Sequence, residues 1–364
     1  MKKGGLFLLT LLFLTYGYQG YKILQSYKND VVKIKTSGLL SDIANDVMPV
    51  PLETPDSGVV RQVKRVQRDG NNIFLISDSR LLHFDISGSF INQPAIGISD
   101  NEDLFITDYA LDMDYHHIIV IDSQRNISKY DYSGNLISIT KISHPWLRIT
   151  ACAYHSGCLW VSAESVEKKS DNYSFQMFNA YFQASTETLE NASLDSYHIA
   201  HRLYQFDGEM NEISIRRFYP AEIGRDVTFN TLCIDELLAD EDGVYAYSSP
   251  VDMTHLLNDT LHFLHYKNIA FTFDDKHQHE APVYPIRKSK RYIMSTSNSI
   301  DGSYTFCYDK TNNNAFLLNE GFNDDFYNTG LIADLQPVDI HNSSYCYLKS
   351  ETDKPVLFIV TLKS

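Results

Sequence analysis

The sequence predicts an all-β fold: a six-bladed β-propeller of four-stranded antiparallel blades, its ring closed by an N-terminal strand. Three observations carry this. A hairpin pattern recurs at a fixed offset, the mark of a repeat architecture. Tyr (24) and Phe (20) far outnumber Trp (2), with only 17 Gly and 11 Pro, a composition of many short strands bearing large side chains. The final unit is one strand short, so a segment from the other end of the chain has to complete it.

The 364 residues are 43% hydrophobic and 21% charged, the balance of a globular chain rather than of disorder, collagen or coiled coil. Against 31 Lys and Arg stand 46 Asp and Glu, a net charge of −15. A phosphate backbone would be repelled, so nucleic acid is not an expected partner.

Met1 to Gly20 has the form of an export signal: Lys2 and Lys3, an apolar run from Leu6 to Leu14 broken only by Thr10, then Tyr16, Gly17, Tyr18 and Gly20. The run is shorter than the ~20 residues of a spanning helix, but extended past Gln19 and Lys22 to Leu24 it would serve as an uncleaved anchor. Thr15 and Gly17 suit a cut after Gly17, although no Ala-x-Ala pattern is present. Residues 1–20 are therefore either a signal peptide or an N-terminal membrane anchor, 21–30 a spacer, and 31–364 the propeller. The expected location is exported, either periplasmic or membrane-anchored facing the periplasm. No Cys follows the run, which excludes lipid attachment at a mature N-terminal Cys.

The repeat is legible directly. Ile73 to Asp78, Leu81 to Asp85, Ser87-Gly88 and Ser89 to Ile91 are echoed 45 to 46 residues later by Ile118 to Asp122, Ile127 to Asp131, Ser133-Gly134 and Asn135 to Ile137. A third copy opens at Leu159 to Ser162 and resumes at Arg202 to Gly208. Val244 to Tyr247 with Thr260 to His265, Tyr292 to Ser295 with Tyr304 to Asp309, and Tyr345 to Leu348 with Val356 to Val360 supply three more. Each unit alternates apolar and polar residues over short runs and turns at Asp, Asn, Ser or Gly, with almost no helical periodicity after the leader. A spacing of roughly 40 to 50 residues with four strands per unit is a propeller blade. Blade two spans Leu104 to Leu111, His117 to Asp122, Asn126 to Tyr132 and Asn135 to Ile142. In the last unit only Gln336 to Ile340, Ser344 to Lys349 and Pro355 to Leu362 are strand-like, so Val31 to Leu52 has to provide the fourth strand and close the ring, hiding the edges.

These residues carry a resemblance. Val50-Pro-Leu-Glu53, the Phe84-Asp-x-x-Gly88-x-Phe90-Ile91 turn, the Tyr130-Asp-x-x-Gly134-Asn-Leu-Ile137 turn, Asp259-Thr260-Leu261, Tyr308-Asp-Lys310 and Asn323-Asp-Asp325, in that order, make the chain resemble the six-bladed β-propeller proteins of Bacteroides and related gut bacteria, in which an exported propeller follows a short leader. The resemblance spans nearly the whole exported region. It departs at Gly97-Ile-Ser-Asp-Asn-Glu102, where relatives carry a Gly-rich segment with Gly-Pro and Glu-Tyr, and in the leader, which lacks the Cys of lipoprotein relatives. It implies export and a propeller, and no established reaction.

No G-x-S-x-G, H-E-x-x-H, P-loop or G-x-G-x-x-G occurs. The acidic pairs Asp112 and Asp114, Asp240-Glu-Asp242, Asp274-Asp275 and Asp324-Asp325 sit mostly at predicted turns, where Asp caps backbone. His198 with His201, His262 with His265, and His277-Gln-His279-Glu280 invite a metal, but an odd separation on a strand sends His262 and His265 to opposite faces, and His277 to Glu280 is a polar link. No metal or cofactor is expected. Of Cys152, Cys158, Cys233, Cys307 and Cys346, only Cys152 and Cys158 are placed to bridge across a hairpin; otherwise each is a small buried side chain. Five Asn-x-Ser/Thr sequons carry no weight in a bacterial-type chain.

The functional candidate is an insertion, Glu164 to Ala200, between the second and third strands of blade three. Loops of that length are usually functional or disordered, and this one carries Tyr173, Phe175, Phe178, Tyr181 and Phe182, which disordered linkers lack and which stack on sugars or anchor interfaces. The alternative is that they pack the loop onto its own blade. The expected function is an exported, non-catalytic ligand- or protein-binding scaffold with a protein or carbohydrate partner. The alternative is a propeller lyase or lactonase acting on a carbohydrate-like metabolite with a channel-bound metal.

Overall fold

The protein is described here as a computed structural model. The structure describes residues 33–35, 38–54, 60–61, 63–94, 105–143, 147–168, 197–218, 233–240, 243–249, 254–257, 260–263, 286–299, 302–312, 314–318, 321–332, 335–339, 342–350 and 355–364. The chain divides into two compact units, one of Ser41–Leu264 with Leu335–Ser364, the other of Met1–Leu40 with His265–Asp334.

The larger unit holds five four-stranded antiparallel sheets. Sheet I is Val63–Asp69, Asn72–Ser77, Arg80–Asp85 and Phe90–Asn92; sheet II is Ile106–Asp112, His117–Asp122, Asn126–Asp131 and Leu136–Lys141. Sheet III is Leu147–His155, Cys158–Lys168, Tyr197–Phe206 and Glu212–Phe218; sheet IV is Cys233–Asp240, Gly243–Ser249, Thr254–Leu257 and Thr260–Phe263. In each the strands follow chain order. Sheet VI, from the C-terminus, is Gln336–Asp339, Ser344–Lys349 and Val356–Leu362, and its fourth strand is Ala44–Pro51, paired antiparallel with Val356–Leu362. The N-terminal segment thus completes the last sheet, over eight residues of the longer stretch the sequence offered. The first strands of sheets VI, I, II, III and IV lie side by side in that order.

This stacking explains why the second strands read as unbroken apolar runs. Ile73 and Leu75 pack toward sheet VI, whereas Phe74 and Ile76 pack toward sheet II. Ile118 and Val120 face sheet I while Ile119 and Ile121 face sheet III. Period-two alternation delivers side chains to two neighbours instead of to core and solvent, so both faces are apolar. Each fully buried Ile, Leu or Phe stabilises by about 1.5–3 kcal/mol.

Two irregularities repeat with the sheets. Every first strand in this unit carries a β-bulge, in the first half of the strand at Lys64, Thr107, Thr150 and Asp235 and beside the hairpin turn at Val338. The last hairpin of sheets I, II and III carries another, at Ile91, Ile137 and Ile213. The latter follows a capped turn: Asp85, Asp131 and Asp207 each accept backbone N–H bonds from the turn residues, and the left-handed position is filled by Gly88, Gly134 and, in sheet III, Met210 at φ 64°. The recurring Asp-x-x-Gly of the sequence is this turn.

In the smaller unit, Ile286–Lys288, Tyr292–Ser299, Gly302–Asp309 and Asn314–Leu318 form an antiparallel sheet V, to which Lys33–Lys35 adds a parallel edge strand that the sequence reading did not separate from the closing strand. A small sheet joins Gly38–Leu39, Phe322–Asp324 and Gly330–Ile332. Arg291 grips Asp309 bidentately at 3.0 and 2.8 Å. The one helical turn among the described residues is Leu40–Ile43.

Candidate functional site

Where the first strands of sheets I to IV meet, the bulges turn two charges toward each other. Arg65 donates from Nη1 to Asp108 Oδ2 at 2.5 Å and to the Cys152 carbonyl at 2.9 Å, and from Nη2 to the Leu237 carbonyl at 3.3 Å. Asp108 also accepts from the backbone N–H of Cys152 at 2.7 Å and of Tyr109 at 2.9 Å. Tyr109 lies under the guanidinium, 5.8 Å from ring centroid to Cζ, and donates its hydroxyl to the Phe74 carbonyl at 2.7 Å. One arginine thereby joins four sheets. Burial pushes the Tyr109 phenol well up, and burial followed by the Asp108 charge does the same to the Cys152 thiol. The guanidinium neutralises the Asp108 carboxylate. This network was missed in the sequence, although Arg65 and Asp108 each directly follow the bulge of their first strand.

A second polar cluster lies at the opposite end of the strands from the blade-three insertion, in the turns joining first to second strands. Asp69 of sheet I accepts from the Tyr132 hydroxyl and meets His116 Nδ1, both at 2.8 Å, clasping sheet I to sheet II. Beside it Asp112, its side chain 2% exposed, has His117 Nδ1 at 3.8 Å. Burial and then the charge of nearby Lys129 hold His117 below the usual imidazole range. The Tyr154 phenol is raised by burial first and by Asp112 second. Of the acidic pairs, then, Asp112 is a buried member of a Tyr–His cluster, whereas Asp324 caps the N–H groups of Phe326, Tyr327 and Thr329, as a turn Asp should. Among the described residues no three His, Cys, Asp or Glu side chains converge as a metal would require.

The insertion is shorter than Glu164 to Ala200. Cys158–Lys168 and Tyr197–Phe206 pair in register out to Lys168 opposite Tyr197, so the intervening segment is 169–196. The pairing overshoots the sheet: Leu147–His155 starts opposite Ser165, and Glu212–Phe218 ends opposite His201. Among the described residues, the pairs Val166–Ile199, Glu167–His198 and Lys168–Tyr197 form a two-stranded stem past the ends of both neighbouring strands. Glu164, 1% exposed, sits at its base against Arg148, at 2.6 Å from Nη2. Tyr173, Phe175, Phe178, Tyr181 and Phe182 lie outside the described residues, as do Asp274, Asp275, His277 and His279.

Cys152 and Cys158 do not bridge. Both thiols are free; Cys152 stands opposite Val161 and packs between sheets II and III, while Cys158 stands opposite His155 and packs toward sheet IV. Three positions of stagger put them on opposite faces, beyond disulfide reach.

The profile of the family described as "Domain of unknown function (DUF4934)" matches residues 26–354. The chain belongs to the DUF4934 family. No curated protein matches this DUF4934 chain. In fold it is similar to a Bacteroides fragilis NCTC 9343 protein whose crystal structure carries the name "Putative exported protein", at a TM-score of 0.56 and 12% identity over 92% of this chain and 99% of that one. It also matches the WD40 repeats of RRP9 at a TM-score of 0.43 and 11% identity, over 91% of this chain and all of that one. Its four-stranded antiparallel sheets in series are those of a propeller-like fold. No helix among its described residues is long and apolar enough to cross a membrane.

Proposed function

We propose that this DUF4934 chain is an exported, non-catalytic binding protein on a six-bladed propeller frame, with segment 169–196 as its recognition element. The observation that carries the reading is the stem: among the described residues, three residue pairs of sheet III, from Val166–Ile199 to Lys168–Tyr197, continue past both flanking strands. A hairpin needed only for the sheet would turn at the sheet's end. The stem leads into segment 169–196, whose sequence carries five aromatics of the kind that anchor a protein or a sugar ring.

In this reading sheets I to VI are six blades and Ala44–Pro51 closes the ring. Residues 1–20 direct export and are then either removed or kept as an anchor, leaving the protein in the periplasm or facing it. The similarity to the Bacteroides fragilis protein that carries the name "Putative exported protein", over nearly the whole of both chains, supports this, as does the leader. Partners are a protein or a carbohydrate and not nucleic acid, on the strength of the −15 charge. The lyase or lactonase reading draws no support from the centre of sheets I to IV, where Arg65 already neutralises Asp108.

The test replaces 169–196 with a short Gly-Ser turn on the intact stem and probes both proteins on a glycan array and against periplasmic extract. Folding is expected to be retained, because the stem and the four described strands of sheet III are kept and a shorter loop costs little closure entropy. Binding is expected to be lost. Equal binding by both proteins overturns the reading. Sequencing the mature N-terminus decides the leader: a start at Tyr18 removes the anchor.

A further inference from the structure

Asp112 is buried without a hydrogen-bond partner. Its side chain is 2% exposed, and among the described residues neither carboxylate oxygen accepts a hydrogen bond. His117 Nδ1, which also makes no hydrogen bond, stands 3.8 Å away, beyond hydrogen-bond length. Burial holds that imidazole below its usual range, so at neutral pH it brings no compensating charge. Two further groups nearby are engaged elsewhere: Lys129 donates from Nζ to the Gly208 carbonyl at 3.2 Å, and the Tyr132 hydroxyl donates to Asp69 at 2.8 Å. A buried carboxylate left in this state costs free energy, and an uncompensated charge of this kind is a mark of a functional site. We propose that Asp112 anchors a binding site for a primary ammonium group on an alkyl stem, at the opposite end of the strands from 169–196.

Charge and shape select the ligand. Two unpaired carboxylate oxygens call for donors that carry positive charge, an ammonium supplies three, and a chain at −15 draws cations to its surface. A metal would want further His, Cys, Asp or Glu donors, and no three converge among the described residues. A sugar ring is too broad to reach a carboxylate that is 2% exposed, whereas an ammonium on a slender stem is not. The surroundings suit such a stem. Tyr154 lies within the influence of the Asp112 charge, Tyr115, 72% exposed, stacks on the His117 ring with centroids 6.0 Å apart, and Met113 stands exposed in the same turn. Aromatic faces attract an ammonium and pack against its methylenes. Entry requires the Tyr115 ring to rotate off His117, a surface side-chain motion that its exposure leaves free.

The experiment is calorimetric titration of the full chain with cadaverine, with Nα-acetyl-lysine methylamide and with uncharged n-pentanol. At least one amine is expected to bind one-to-one and pentanol not at all; cadaverine alone would identify a free diamine as the source, the lysine derivative alone a lysine side chain of a protein. Asp112→Asn should weaken amine binding by about tenfold or more, the loss of a hydrogen bond to a charged group. Its thermal midpoint should stay at or above the wild-type value, because an unpaired buried charge is removed. Asp46→Asn removes an exposed acid and the same single charge, and should bind as the wild type does. His117→Lys places an ammonium beside Asp112, and should raise the midpoint while abolishing amine binding. A wild type that binds neither amine, pentanol binding as well as the amines, equal losses in Asp112→Asn and Asp46→Asn, a lowered midpoint in Asp112→Asn, or undiminished binding by His117→Lys would each overturn the proposal. The readout is independent of ligand capture by 169–196.

Discussion

Glu53 holds Phe90 by its side chain: the Glu53 carboxylate accepts the Phe90 N–H at 2.8 Å, while the Glu53 backbone N–H donates to the carbonyl of Gly88 at 2.9 Å. The residues leaving the N-terminal strand of sheet VI are thereby sewn to the last turn of sheet I. The turn has to come close, and Gly88 permits it. At φ 88° a Cβ there would lie 1.9 Å from the Pro51 carbonyl oxygen. Gly134, at the same φ in sheet II, would meet nothing nearer than 3.7 Å.

Gly88→Ala should therefore destabilise the protein by about 3 kcal/mol or more, since backbone must move, whereas Gly134→Ala should cost about 1 kcal/mol of left-handed strain. Urea unfolding of both variants checks the ordering. Equal losses would place the strain in the turn alone.

Removing Arg65 leaves Asp108 buried and unpaired. Arg65→Met alone should cost about 3–5 kcal/mol, and Arg65→Met with Asp108→Leu distinctly less than the two single losses added. A double-mutant cycle by chemical denaturation measures the coupling. Additive losses would show that the guanidinium holds the sheets through the Cys152 and Leu237 carbonyls rather than through Asp108.

Acid should weaken the fold through histidine before carboxylates protonate. His83, enclosed by stacking on Phe74 with ring centroids 4.2 Å apart, is held below the usual imidazole range chiefly by burial, as is His117. A depressed native pKa means that the unfolded chain binds more protons, so stability falls as pH drops through 6.5 toward the lowered values. Asp85, Asp131, Asp207 and Asp309 are all held low by hydrogen bonds, the last chiefly by Arg291, and their contribution is present above their ordinary range and lost only in stronger acid. Thermal midpoints between pH 7 and 5 should decline in the wild type and flatten in His83→Gln with His117→Asn. An unchanged slope in the double variant would assign the decline to other groups.

The thiols provide a simpler check. Cys158 should react with a thiol reagent in the native state, whereas Cys152, fully buried, should react only on unfolding. Peptide mapping after a short labelling pulse reads both, and a Cys152–Cys158 disulfide peptide would contradict the opposite faces assigned to them.

The hairpin repeat and the terminal strand that completes the last sheet were legible in the sequence, because hairpin turns and period-two patterns are local, whereas the edge strand Lys33–Lys35 and the small sheet of Gly38–Leu39, Phe322–Asp324 and Gly330–Ile332 were not. The Asp-x-x-Gly turns, the short run Ser344–Lys349 and the orphan third strand of sheet VI all announce themselves within a few residues of their own positions. What the tertiary structure decided depends on neighbours remote in the chain. Stagger across one hairpin put Cys152 and Cys158 on opposite faces, although their spacing suited a bridge. Continued pairing to Lys168 and Tyr197 shortened the insertion to 169–196, because strand ends are set by available partners rather than by composition. Arg65 and Asp108 look like ordinary alternating polar residues in the sequence; only the bulges at Lys64 and Thr107, and the convergence of four first strands, turn them into one buried ion pair. Local chemistry determined the elements, and the partners that each polar group finds across sheets determined the sites.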